Sequence, residues 1–211
     1  MVTVALELMR GENLMLPFSE ACERNKGPIL EVLHDAFAGR MHVLEIGSGT
    51  GQHAVHFAAH LKDLVWQPTE RLAHLTALES RVRLQGTSNL RAPAVLDVNQ
   101  KIWPVRSVDA VFSANTLHIV SWNEVKAMFA GIDAVLKPRG IVCVYGPFRY
   151  HGQHTAPSNE RFDAELRERD PNSGIRDIDA VCEVAAACRL RLRADHDLPA
   201  NNRLLVFERI D

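Results

Sequence analysis

The sequence predicts an α/β domain: a mainly parallel sheet with helices on both faces, finished by an antiparallel hairpin. Three observations predict it. Short β-rich runs alternate with helical stretches through the first two-thirds of the chain, the pattern of successive βαβ units. The first run opens directly into a glycine-rich loop, "GSGTG" at 47–51. The last two runs are joined only by "PANN", a short Pro/Asn connection that suits a hairpin.

Taken in order, "HVLEI" (42–46) is a buried strand, and residues 52–61 follow as a helix. "LVWQP" (64–68) is the second strand, followed by a helix over 72–84. "APAVLDV" (92–98), "SVDAVFSA" (107–114) and "GIVCVYG" (140–146) supply three more strands. Between the last two, 123–136 has helical periodicity and stops at "KPRG", where Pro and Gly oppose continuation. Two further helices are expected near 159–169 and 178–188. The runs "LRLRADHDL" and "RLLVFERI" then complete seven strands.

The 211 residues, 46% hydrophobic, fit one domain over 1–211, with 1–40 as a helical N-terminal segment able to cover a site. A chain of this length buries roughly 70% of its unfolded surface and needs no covalent staples. Its 24 basic and 26 acidic residues include no basic block, which argues against nucleic-acid binding through counterion release. Four cysteines, none in a C-x-x-C pair, read as buried thiols in a reducing compartment. The apolar start "MVTVALELM" is brief, lacks a basic flank and carries Glu7, so it does not read as a signal peptide. No apolar run of membrane-spanning length occurs, and the expected location is cytoplasmic.

The spacing of the glycine loop narrows the chemistry. A dinucleotide fingerprint needs G-x-G-x-x-G. Here Gln52 stands where the third glycine would fall, and the pattern is E-x-G-x-G-x-G from Glu45 to Gly51. Gly47, Gly49 and Gly51 remove side chains where backbone must approach a ligand. A tight strand–helix turn alone is the competing reading. Two acids decide between them. Glu70, after the second strand, is placed to accept ribose hydroxyls, and Asp97, after the third, to meet an adenine amino group. Each alone reads equally well as a solvated loop acid. Together they stand at the carboxyl ends of consecutive strands, where open sheets bind ligands.

This motif resembles motif I of class I S-adenosylmethionine-dependent methyltransferases. A more specific resemblance rests on "PFSEACERNKGPILEVL" (17–33), "VLEIGSGTGQHAVHFA" (43–58), "WQPTE" (66–70), "ANTLHIVSW" (114–122), the long block from "YGPFRYHGQHTAPSN" through "SGIRD" (145–177) and "LPANNRLLVF" (198–207). These are similar to the DUF938 family, which includes methyltransferase-like protein 26. The resemblance covers about residues 16–209. It implies a Rossmann-like class I methyltransferase fold with a seven-stranded mixed sheet, and S-adenosylmethionine as cofactor. On that reading Glu45, Gly47, Gly49, Gly51, His53, Glu70, Asp97 and Asn115 hold the cofactor. Glu70 departs from the Asp common in relatives, and "RLAHLTALESRVRLQ" is atypical, so contacts there are not carried over.

Methyl transfer is an in-line displacement that depends mostly on alignment of donor and acceptor. A base is needed only where the nucleophile must lose a proton. His118, in the loop after the fourth strand, is the first candidate, with Asn115 beside it; a buried structural histidine is the alternative. The loop after the fifth strand, 145–159, reads as a lid. It supplies Tyr145 and His154 as further catalytic candidates, and Phe148, Tyr150, Ser158 and Asn159 as substrate contacts. Helix capping by Ser158 and plain aromatic packing compete with that. Ser19 and Asn25, from the N-terminal segment, could face the same mouth. His53, His56 and His60 share a helix face, but Phe57 stands where a zincin needs glutamate and no further ligand is placed nearby, so no metal is expected. The acceptor expected is a small molecule, aromatic or heteroaromatic, carrying nucleophilic N, O or S; the alternatives are a protein or RNA acceptor, or a non-catalytic cofactor-binding subunit or sensor. A D/N-P-P-Y motif is absent, which lowers the case for a nucleobase. Apolar Val2–Met9 leaves two options open: covering the pocket, or meeting a second copy in a homodimer.

Overall fold

The computed structural model describes residues 16–210; the expectation for Val2–Met9, and the first part of that for 1–40, lies outside them. Helix α1 (Glu20–Ala36) is capped by Ser19, whose side chain accepts from the Cys22 N–H. Strand β1 (His42–Ile46) and helix α2 (Gln52–His60) flank the glycine loop. Next come β2 (Val65–Glu70), α3 (Leu75–Gln85), β3 (Ala94–Val95) and β4 (Val108–Ala114). Helix α4 (Trp122–Val135) starts in a capping box between Ser121 and Glu124 and leads into β5 (Leu136–Gly146). An insertion follows: β6 (Phe148–Tyr150), β7 (Gln153–His154), α5 (Pro157–Arg169) and β8 (Arg176–Asp177). Helix α6 (Ile178–Ala187) and the hairpin of β9 (Leu190–Leu198) and β10 (Asn202–Arg209) end the fold.

Seven strands form one sheet in the order β3-β2-β1-β4-β5-β10-β9. The first five pair in parallel, and β10 runs antiparallel to both β5 and β9. Side chains alternate between two apolar layers, as the strand period of two requires. Val43, Ala110, Phe112, Ile141 and Cys143 pack under α1 and α2 with Phe57 and Trp66. Leu44, Ile46, Val111, Val142 and Val144 face the other way, against Met128, Phe129 and Ile132 of α4 and Val181 of α6. Among the described residues no helix is long and apolar enough to cross a membrane.

Three expectations are corrected here. The third strand is two residues long, because Pro93 has no N–H to give and Asp97 turns the chain back on Asn99. The helix expected over 72–84 begins with a separate 3-10 turn, Leu72–His74. The segment after β5 is not a long irregular loop: β6 pairs with β7 through a hairpin at His151 and Gly152, and with distant β8.

Candidate active site

A cavity of about 910 Å³ opens at the carboxyl ends of β1, β2 and β4. The strand order reverses between β1 and β4, so diverging connections leave a crevice at that point. The volume is near the top of the roughly 300–1,000 Å³ range of small-molecule sites.

The glycine loop forms one wall, and each glycine has its own reason. All three have positive φ: 73° at Gly47, 55° at Gly49 and 78° at Gly51. A Cβ on Gly47 would sit 2.6 Å from Thr116 Oγ1, and one on Gly51 would sit 2.8 Å from Leu78 Cδ1. Gly49 differs, since its Cβ would meet nothing within 4 Å. Gly47 and Gly51 therefore admit protein neighbours, whereas Gly49 alone leaves clear space at the loop's tip. The loop is braced from outside. Buried Arg81 donates to Thr50 O at 2.6 Å and to Pro17 O, while Gln52 exchanges hydrogen bonds with the Ser19 backbone.

Glu70 ends β2 at the cavity. Its Oε2 accepts the Gly49 N–H at 2.8 Å and its Oε1 the Arg71 N–H at 2.7 Å. Both oxygens are thereby aimed, with lone pairs left for further donors. Arg71 also lines the cavity and pairs with Glu124. Small side chains of the 3-10 turn and α3 (Ala73, Thr76, Ala77 and Ser80) form a second wall, and Leu96, Val98 and Val120 form apolar plates. Such a surface accepts a vicinal diol at Glu70 and a flat apolar ring between the plates.

Asn115 and Thr116 come from the end of β4, with Asn115 at φ 57°. Segment 173–176 holds their loop in place: Gly174 N–H donates to His118 O, the Ser173 hydroxyl to Ile119 O and Arg176 to Leu117 O and Val120 O. Ser19, Cys22 and His53 complete the side toward α1. His53 is buried, stacks on Phe57 at 5.3 Å between centroids, and places Nε2 2.6 Å from Asn25 Oδ1. Burial, with the nearby charges of His56 and Lys26, lowers its pKa to about 4.

Not every predicted residue gathers here. Glu45 does not line the cavity: strand alternation turns it to the α2 side, where Oε2 accepts the Trp66 indole N–H at 2.8 Å. Burial raises its carboxyl to about 7. Asp97 likewise stands off, its Oδ1 taken by the Asn99 N–H, while its neighbours Leu96 and Val98 reach the cavity. His118 is buried edge-on to Phe162 on the far side of its loop, and its pKa is lowered to about 4 by burial and Arg176. Tyr145 is buried beneath α1. His154 faces Asp163 at 3.5 Å in the insertion. Phe148 is core, and the Tyr150 hydroxyl donates to Asp195 at 2.6 Å. Asn159 ties Thr155 to the β9–β10 turn. Ser158 is exposed and caps nothing, because α5 starts at Pro157 after Ala156. His60 bonds its own helix at His56 O.

Sequence reasoning passed over Cys22, Thr116, Arg71 and the small-residue wall. Only the wall had a signal, Ala73, Ala77 and Ser80 at helical spacing.

A family model described as "Protein of unknown function (DUF938)" matches residues 16–209. The chain belongs to the DUF938 family. Solved structures place this DUF938 chain among Rossmann-like class I methyltransferase folds. An O-methyltransferase family protein from Burkholderia thailandensis superposes with a TM-score of 0.77 at 14% identity, over 90% of this chain and 57% of its own. Human N-acetylserotonin methyltransferase, solved in complex with SAM, gives 0.76 at 12% identity, over 91% of this chain and 53% of its own. The chain thus spans little more than half the length of these neighbours.

Proposed function

We propose that this protein is an S-adenosylmethionine-dependent methyltransferase acting on N, O or S of a small, aromatic or heteroaromatic acceptor. One observation carries the reading: Glu70, oriented by the Gly49 and Arg71 N–H groups, faces a large cavity at the sheet's switch point beside a side-chain-free Gly49. That combination fits an adenosine-bearing ligand with a free ribose diol. The likeness of fold to methyltransferases supports the same donor.

When bound, the donor supplies a methyl group made electrophilic by its sulfonium. The chain's own part is to bind and align. Glu70 would accept the ribose hydroxyls through charge-assisted hydrogen bonds of about 1.5–3 kcal/mol each. Leu96, Val98 and Val120 would enclose the adenine. Asn115 and Thr116 would border the reacting end, with Ser19 and Cys22 of the α1 side restricting water. Alignment of this kind supplies up to about 7–11 kcal/mol of a barrier.

Incubation with methyl-labelled donor and a cell metabolite extract tests the reading. It predicts label in a small organic product. Label only on protein or RNA would overturn the acceptor class, and donor binding without turnover would favour a non-catalytic sensor.

A further inference from the structure

His53 is a polar side chain on the cavity wall whose chemistry the binding reading leaves unused. Its ring is buried, stacked on Phe57 and edge-on to Phe112 at 6.0 Å, which fixes its plane. Nε2 is committed to Asn25 Oδ1 at 2.6 Å. Nδ1 is then the ring's one remaining polar atom, and among the described residues no hydrogen bond engages it.

Which nitrogen carries the proton follows from the partners. Asn25 is itself buried, and its Oδ1 is the atom turned to the imidazole. An amide oxygen only accepts. Nε2 must therefore bear the hydrogen and Nδ1 the lone pair. The position agrees, because His53 lies in the first turn of α2, where unpaired backbone N–H groups make a positive field that disfavours a second N–H.

We infer that His53 determines acceptor specificity: its Nδ1 lone pair receives a hydrogen bond from an acceptor whose nucleophilic atom still carries a proton. Asn25 is the positioning residue that fixes the tautomer. The acceptors favoured are hydroxyl, thiol or N–H compounds; tertiary amines and thioethers have no hydrogen to give this lone pair. Sites built around such a bond discriminate strongly against analogues lacking the donor. The inference rests on the methyltransferase reading for the meaning of "acceptor", but the hydrogen-bond polarity it asserts stands apart from any cofactor.

Nitrogen NMR of histidine-labelled protein tests it, with His53→Gln assigning the signals. From about pH 5 to pH 8, Nε2 should resonate as a protonated nitrogen and Nδ1 as a bare one. The opposite tautomer, the result expected if the Asn25 amide is reversed, overturns the inference. Asn25→Leu should mix the tautomers and Asn25→Asp restore the single one; a fixed tautomer in Asn25→Leu overturns Asn25's role. Phenol and anisole, matched except for the hydroxyl hydrogen, are then added with S-adenosylhomocysteine present. Phenol should move the Nδ1 resonance and anisole should not. Equal effects, or none from phenol in large excess, contradict the inference. Failure of S-adenosylhomocysteine to bind, with the tautomer and phenol response intact, would count against the donor reading alone.

Discussion

Replacing Glu45 by Gln isolates the cost of one buried carboxylate. In the native protein Glu45 is sealed on the α2 side of the sheet, holds the Trp66 indole, and titrates near 7 where an ordinary glutamate titrates at 4.5. Burial is the main cause, with the charge of Glu70 adding to it. The folded pKa is raised, so between about pH 4.5 and pH 7 the unfolded chain loses its proton while the native protein keeps it. This carboxyl therefore makes stability fall as pH rises through that window. Integrated from pH 5 to pH 8, the loss is about 2–3 kcal/mol at 1.36 kcal/mol per pH unit. Gln cannot ionise and can still accept from Trp66 through Oε1. Urea unfolding of both proteins at intervals across that range gives the difference directly, and contributions common to both, such as the oppositely directed ones of buried His53 and His118, cancel. The stability of Glu45→Gln relative to wild type should rise by that amount toward high pH. A difference that stays flat with pH would refute the buried-carboxylate account. Loss of donor binding in Glu45→Gln would return this residue to the site.

Two glycines of one loop should respond differently. Gly51→Ala pushes a Cβ against Leu78 and Arg81 at φ 78°, and should cost about 1–3 kcal/mol of stability by thermal or urea unfolding. Gly49→Ala meets no protein atom, so it should cost about 1–2 kcal/mol of backbone strain while weakening donor binding more than Gly51→Ala does, as read by calorimetry. His118→Ala should lower stability by about 1–3 kcal/mol through lost packing on Phe162 and leave donor affinity unchanged; a fall in affinity would place His118 at the cavity.

Elements whose signal is local were legible in the sequence. β1, α2, β4 and α4 match their expected ranges to within about two residues, because strand alternation, helix period and the Ser121–Glu124 cap are all short-range. Cavity residues on the glycine loop and at the end of β2 were legible because turn geometry and the sheet's polarity fix them. The placement of Glu45 away from the cavity was not legible, because the motif gives its position along β1 but not which layer the pleat turns it toward. The placement of His118 was hidden for a similar reason, since it sits on a cavity-bordering loop but packs against Phe162. The block 145–177 hid its structure in a non-local pairing, Phe148 with Arg176, that no short window contains. Arg81 could be read as an ordinary surface residue of α3, although it clamps Thr50 and Pro17 together.

The central claim is that the cavity beside Gly49 and Glu70 holds S-adenosylmethionine, and isothermal calorimetry tests it most directly. The account predicts micromolar binding of S-adenosylmethionine and S-adenosylhomocysteine, no binding of NAD, and a loss of roughly ten-fold in Glu70→Gln, which keeps the fold but gives up the charge on the diol contact. NAD binding in place of S-adenosylmethionine, or donor binding undiminished in Glu70→Gln, would contradict it.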